Sequence, residues 1–162
     1  MKVESRVIMV LAILGTVMAM VLPGISQEKP ADNMQILREK VRADKKLVVA
    51  ANMNLTESEA KGFWPICESY QKDLENINQR LAKLIKDYAK EYNNQTLSDE
   101  KAKKLTDEML AIEEAEVALR KSYTPKLGKV LPARKVVRYL QIENKIRAIL
   151  KYELAAEVPL VP

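Results

Sequence analysis

The chain of 162 residues carries 27 lysines and arginines, 22 aspartates and glutamates and no histidine, for a formal net charge of +5. Without histidine, general acid–base catalysis at neutral pH lacks its usual agent, and the single cysteine, Cys67, has neither a histidine to activate it nor a second cysteine for an intrachain disulfide. No glycine-rich phosphate loop and no spaced set of metal ligands occurs, so the sequence argues against an enzyme and assigns no cofactor and no metal.

Residues 1–26 read as a targeting segment. Lys2 and Arg6 flank the start of an uncharged apolar run at 7–22, and Gly24 and Ser26 stand at positions −3 and −1 of a cut before Gln27. This is the layout of a secretory signal peptide and predicts export. With its flanks the run is also just long enough for an uncleaved anchor. Cleavage leaves residues 27–162 as one all-helical domain of 136 residues, with 25 basic and 21 acidic side chains, net +4.

After the leader 27–31, Asp32 and Gln35 have capping-box spacing, and Met34, Leu37, Val41, Val48 and Ala51 recur at roughly helical intervals. A first helix is predicted to about residue 52. The second helix has a stronger signal. Thr56 is a good N-cap, Glu59 completes the T-x-x-E box, and Glu57 and Glu59 suit the positive end of the helix dipole. Phe63, Tyr70, Ile77 and Leu84 then recur every seven residues, with Cys67, Leu74, Leu81 and Tyr88 interleaved. Such a seam predicts close packing on another helix and burial of Cys67. Pro65 costs about 3 kcal/mol in a helix interior and Gly62 roughly 1 kcal/mol, so a bend is predicted near residues 62–65. Trp64, on the flank of the seam, has two readings: packing under a neighbouring hairpin or subunit, or an exposed aromatic for partner binding.

The segment NNQT at 93–96 breaks the helix. A third helix starts at Ser98 as N-cap, with Asp99 and Glu100 in its first turn and a stripe of Ala102, Leu105, Met109, Ile112 and Leu119. The short turn makes an antiparallel hairpin. Glu113, Glu114 and Glu116 read as a solvated acidic face, and Pro125 is expected to bend or break the chain. A fourth helix is predicted to take Pro132 as its first residue, where no N–H is needed, with Val136, Tyr139, Ile142, Ile146 and Ile149 on one face and an extended tail at 157–162. Nothing alternates as a strand would. The fold class is all-α: four helices of unequal length built on a long antiparallel hairpin. Both long helices carry more apolar stripe than one hairpin buries, which predicts a homodimer.

Charge is unevenly spread. Residues 57–119 hold 9 basic and 14 acidic side chains, net −5, whereas residues 120–151 hold 10 basic side chains and one acid, Glu143, net +9. In an exported chain the basic segment suits an acidic partner, an unfolded acidic protein or an anionic membrane surface better than nucleic acid; it can equally neutralise the acidic hairpin. Candidate partner-binding residues are Phe63, Trp64, Tyr123, Arg134, Lys135, Arg138 and Tyr139.

Two short stretches, LTESE at 55–59 and LPARK at 131–135, each open a helix and are separated by the hairpin. This layout resembles the Spy/CpxP-like family of bacterial periplasmic proteins, whose hairpin-based subunits carry two L-T-x-x-Q motifs at helix starts. Leu55 and Thr56 match the first motif, with Glu59 in the glutamine place. Leu131 matches the second, with Pro132 and Lys135 in the threonine and glutamine places. The resemblance implies a periplasmic, bent antiparallel dimer with an apolar surface and a basic rim. It implies ATP-independent holding of unfolded or envelope proteins under stress, or inhibition of an envelope stress sensor; the charge of residues 120–151 separately suits docking to an acidic surface of such a membrane sensor.

Overall fold

The computed structural model describes residues 44–161; the expected targeting segment at 1–26, the expected leader at 27–31 and the expected Asp32–Gln35 cap lie outside them. The described residues form four helices and no strand: α1 over 44–53, α2 Glu57–Asn94, α3 Asp99–Gly128 and α4 Ala133–Glu157.

Local chemistry sets the helix ends. Thr56 is extended (φ −71°, ψ 164°) and its hydroxyl accepts from the Glu59 N–H at 3.3 Å, while the Glu59 carboxylate accepts from the Thr56 N–H at 2.8 Å. Two N–H groups that α2 leaves orphaned are thereby satisfied. Ser98 caps α3 in the same manner, accepting from the Lys101 N–H at 3.3 Å. At the far end of α2, Gln95 takes the left-handed conformation (φ 54°) that ends many helices, and its N–H returns to the Tyr92 carbonyl at 3.2 Å.

Two expectations about proline change. Pro125 does not break the chain: α3 runs through it to Gly128, and the chain turns at 129–132, where Val130 and Leu131 donate back to the Leu127 carbonyl. Both Pro125 and Lys121, whose carbonyl loses its helical donor, are exposed, so water can satisfy that carbonyl. Pro132 is the N-cap of α4, one residue before its first turn, and its carbonyl accepts from Lys135 and Val136. Gly62 and Pro65 both lie within α2, which is helical on either side of them. Gly62 has a different reason to be glycine: a Cβ there would lie 2.9 Å from Val130 Cγ1, so the missing side chain admits the α3–α4 turn.

Successive helices run in opposite directions. Tyr123 pairs with Asp73, Glu108 with Arg80 and Lys101 with Glu91 along α2 and α3. Glu116 faces Arg147 and Glu113 faces Lys151 across α3 and α4. Lys45 reaches Glu143, while Lys135 reaches the Asn54 carbonyl, so α1 lies antiparallel to α4. This is up-down-up-down order with a short first helix.

The main core gathers at the α1 end: Val49 and Met53 of α1 meet Phe63, Cys67 and Tyr70 of α2, Tyr123 and Leu127 of α3, Leu131 of the turn, and Val136 and Tyr139 of α4. Its rings meet edge to face, with centroids 5.1 Å apart for Phe63–Tyr139 and 5.4 Å for Tyr70–Tyr123, the arrangement their quadrupoles favour. A smaller cluster of Ile85 and Leu154, with Leu81, Leu150 and Val158 against it, closes the other end. There the tail is tied down by the Tyr88 hydroxyl, which donates to the Pro159 carbonyl at 2.9 Å.

The seam of α2 also drifts. Phe63, Cys67, Tyr70 and Ile77 are buried as the heptads predict, but Ile85 and Ala89 then replace Leu84 and Tyr88 as the fully buried positions. An ideal helix turns about 100° per residue, so Leu84 lies about 60° short of Phe63 and Ile85 only about 40° past it. In α1 the buried pair is Val49 and Met53, while Val48 and Ala51 face outward. In α3 Met109 is exposed, and in α4 Ile149 is 61% exposed.

Candidate functional site

The two helix-opening motifs meet. Leu131 is buried in the main core and Leu55 packs against it. Glu59, in the last place of the first motif, accepts a hydrogen bond from Lys135, in the last place of the second. Lys135 also donates to the Asn54 carbonyl at 2.8 Å. Asn54 itself is left-handed (φ 46°), where asparagine is among the tolerated residues. The lysine bond, followed by the backbone bond from Thr56, holds the Glu59 carboxyl below the usual carboxylate range.

Below this junction a polar chain crosses the core. Lys45 donates to Gln71 Oε1 at 2.7 Å and to Glu143 Oε2 at 2.9 Å. Gln71 Nε2 in turn donates to Glu143 Oε1 at 2.9 Å and to the Tyr139 hydroxyl at 3.2 Å. Cys67 Sγ stands 3.5 Å from that hydroxyl. Glu143 is 5% exposed, so its charge depends on Lys45 and Gln71. Burial pushes the Cys67 thiol and, more strongly, the Tyr139 phenol above their ordinary values. A thiol held neutral is a poor nucleophile; the arrangement joins α1, α2 and α4. Tyr123 donates to Asp73 at 2.6 Å, and that bond with partial burial pushes its phenol up to about 12.

The candidate partner-binding residues separate into two groups. Phe63 and Tyr139 are fully buried and Tyr123 nearly so: they build the core and do not present rings to a partner. All three lie within the main core, which is why they are covered. Trp64 is half-buried against the core, edge to face with Phe63, and Lys46 of α1 lies 5.1 Å over its ring. Lys135 is committed to Glu59. Arg134 and Arg138 are exposed and have no ion-pair partner among the described residues.

These two arginines belong to a continuous outer face of α4. At about 100° per residue, Arg134, Val137, Arg138, Lys145, Ile149 and Tyr152 fall within about 120° of arc, opposite Val136, Tyr139, Glu143 and Leu154. Val137 is 53% exposed and Tyr152 77% exposed. The stripe runs about 27 Å along the helix.

Four polar residues matter that the sequence does not single out as a group. Glu116, expected on a solvated face, is 7% exposed in the core-facing stripe of α3, while Glu113 and Glu114 are exposed. Glu143, Gln71 and Lys45 likewise occupy core-facing positions. The available signal is spacing: Glu116 follows Ile112, Glu143 follows Tyr139, Gln71 follows Cys67, and Lys45 precedes Val49, each by one helical turn. Among the described residues, no three acidic or cysteine side chains converge as a metal ion would require. No helix among them is long and apolar enough to cross a membrane. No family model, curated protein or solved structure matches the chain.

Proposed function

We propose that this is an exported, ATP-independent binding protein that holds unfolded, acidic polypeptide segments on the outer face of α4. The observation that carries the reading is the interleaving of exposed apolar Val137, Ile149 and Tyr152 with Arg134, Arg138 and Lys145 on one stripe. Exposed apolar surface with a charged rim marks interaction sites, and tyrosine and arginine carry much of the binding energy in such sites. An unfolded chain offers apolar side chains without fixed shape, and acidic residues in it complement the cations and speed encounter. The targeting segment and the resemblance of the two helix-opening motifs to the Spy/CpxP-like pattern support the same reading.

The test is suppression of aggregation of a reduced, unfolded acidic client at stoichiometric amounts without ATP. Suppression that weakens with salt supports the reading, and none at low or high salt overturns it. A second reading, docking to an acidic surface of a membrane stress sensor, is favoured by the exposure of Arg134 and Arg138 one turn apart. It predicts a single stoichiometric membrane partner in a pull-down, lost in Arg134→Glu/Arg138→Glu. Lys135 is left unchanged because its bond to Glu59 is structural.

A further inference from the structure

Beside the outer face of α4, the cleft between α3 and α4 holds a charge arrangement that core packing does not account for. Its volume is about 390 Å³, and its walls include Val117, Asn144 and Ala148. One oxygen, Glu116 Oε2, is approached by Arg147 Nη1 at 3.7 Å, Arg120 Nη1 at 3.8 Å and Lys151 Nζ at 4.0 Å. All three cations stand outside direct hydrogen-bond range, although the carboxylate is more than nine-tenths buried. Lys151 also donates to Glu113 at 3.2 Å, and Arg147 donates to Asn144 Oδ1.

We infer that this cleft is an oxyanion site that takes one phosphate or carboxylate group between Arg120 and Arg147, with Lys151 as a third cation. Each guanidinium has five N–H donors in a planar fork suited to two oxygens of one oxyanion, and the Glu116 geometry uses none of the Arg120 donors at hydrogen-bond distance. The three cations exceed the two carboxylates of the cleft by one charge, and Glu113 is already matched to Lys151, so the residual field favours an anion. Glu116 serves as a positioning residue, drawing two guanidiniums from different helices toward one point. The oxyanion can come from two sources, a free phosphate or an acidic side chain of a polypeptide lying along α4.

The test follows the Arg120 and Arg147 side-chain N–H resonances of the isotope-labelled full chain during titration with inorganic phosphate and, separately, with a Glu-Ser repeat peptide. Saturable shifts of both resonances are expected with at least one probe. Saturation by phosphate identifies a free-anion site, and saturation by the peptide alone identifies side-chain carboxylates. Arg147→Gln is expected to weaken binding about tenfold, the loss of a bidentate ionic contact, and Arg147→Lys to fall between it and the wild type. Glu116→Gln is expected to tighten binding about tenfold by removing the opposing charge. A merely structural glutamate would not produce tighter binding. The inference is overturned if neither probe shifts either resonance saturably at millimolar concentration, or if Arg147→Gln binds as the wild type does. Should Glu116→Gln fail to fold, the Arg147 pair of variants decides alone. Loss of aggregation suppression with intact anion binding would count against the α4 face and leave this site standing.

Discussion

Lys135 donates both to Glu59 and to the Asn54 carbonyl, so the start of α4 is fastened to the cap of α2 and to the end of the α1 helix. This makes the junction sensitive to acid. The Lys135 bond and then the Thr56 N–H hold the Glu59 carboxyl low, so its folded pKa lies below the unfolded value of about 4.3. Its contribution is fully present above that value and is lost as pH falls through the folded pKa. Glu59→Gln keeps a capping-box partner for Thr56 but removes the charge. The variant is predicted to lose less stability than the wild type on acidification below pH about 4.3, read from urea midpoints across the acid range. Parallel curves would contradict it.

The cap itself is a separate, local contribution. Thr56→Ala removes the hydroxyl that accepts from Glu59 and is predicted to lower stability by about 1 kcal/mol. Thr56→Ser should restore most of it. Chemical denaturation of the three proteins checks the order.

The Lys45–Glu143 pair predicts a larger effect. Glu143 is buried among Tyr139, Gln71 and Lys45. Lys45→Met leaves that carboxylate without its cation and should cost about 3 kcal/mol, as breaking one side of a buried pair does. Replacing both, Lys45→Met with Glu143→Leu, should recover much of the loss. A double variant no more stable than the single one would show that the pair is not coupled.

Gly62 and Pro65 are now distinguished. Sequence reasoning expects both changes to alanine to stabilise α2. The short distance to Val130 reverses this for Gly62: Gly62→Ala drives a methyl against a stiff β-branched side chain. The predicted loss is about 1 kcal/mol, overpacking outweighing the gain in helix propensity, and Val130→Ala, which removes the Cγ1 contact but keeps the Cβ at 3.0 Å, should recover part of it. Pro65 is exposed, and Pro65→Ala should stabilise by about 1 kcal/mol or more through the restored bond to the Lys61 carbonyl. Melting of the single and paired variants checks both signs.

What the sequence made legible was chemistry that acts within a few residues. Thr56 with Glu59, and Ser98 with the first turn of α3, could be read as caps because their partners lie in the same turn. The seam from Phe63 to Ile77 was legible because a helix repeats its faces. Beyond Ile77 the heptad count and the helical turn diverge, and Ile85 takes the place expected of Leu84. Glu116 and Glu143 were not legible as buried groups, since a glutamate in a stripe looks solvated until another helix brings Arg147 or Lys45 to it. The reason for Gly62 lay with Val130, far along the chain. The buried rings of Phe63, Tyr123 and Tyr139 shift the candidate surface to Val137, Ile149 and Tyr152, which the basic segment contained but did not single out.

The central claim is that the outer face of α4 holds unfolded acidic polypeptide, and site-specific photo-crosslinking tests it most directly. A photoreactive residue is placed in turn at Val137, Ile149 and Tyr152, and at Gln79 of α2, which is exposed and lies about 160° round that helix from buried Phe63. Each protein is irradiated with a reduced, unfolded acidic client. Strong client adducts are predicted from the three α4 positions, weak ones from Gln79, and loss of the α4 adducts in Arg134→Glu/Arg138→Glu. Equal yields from Gln79 and the α4 positions, or α4 adducts that survive the arginine reversal, would contradict the claim.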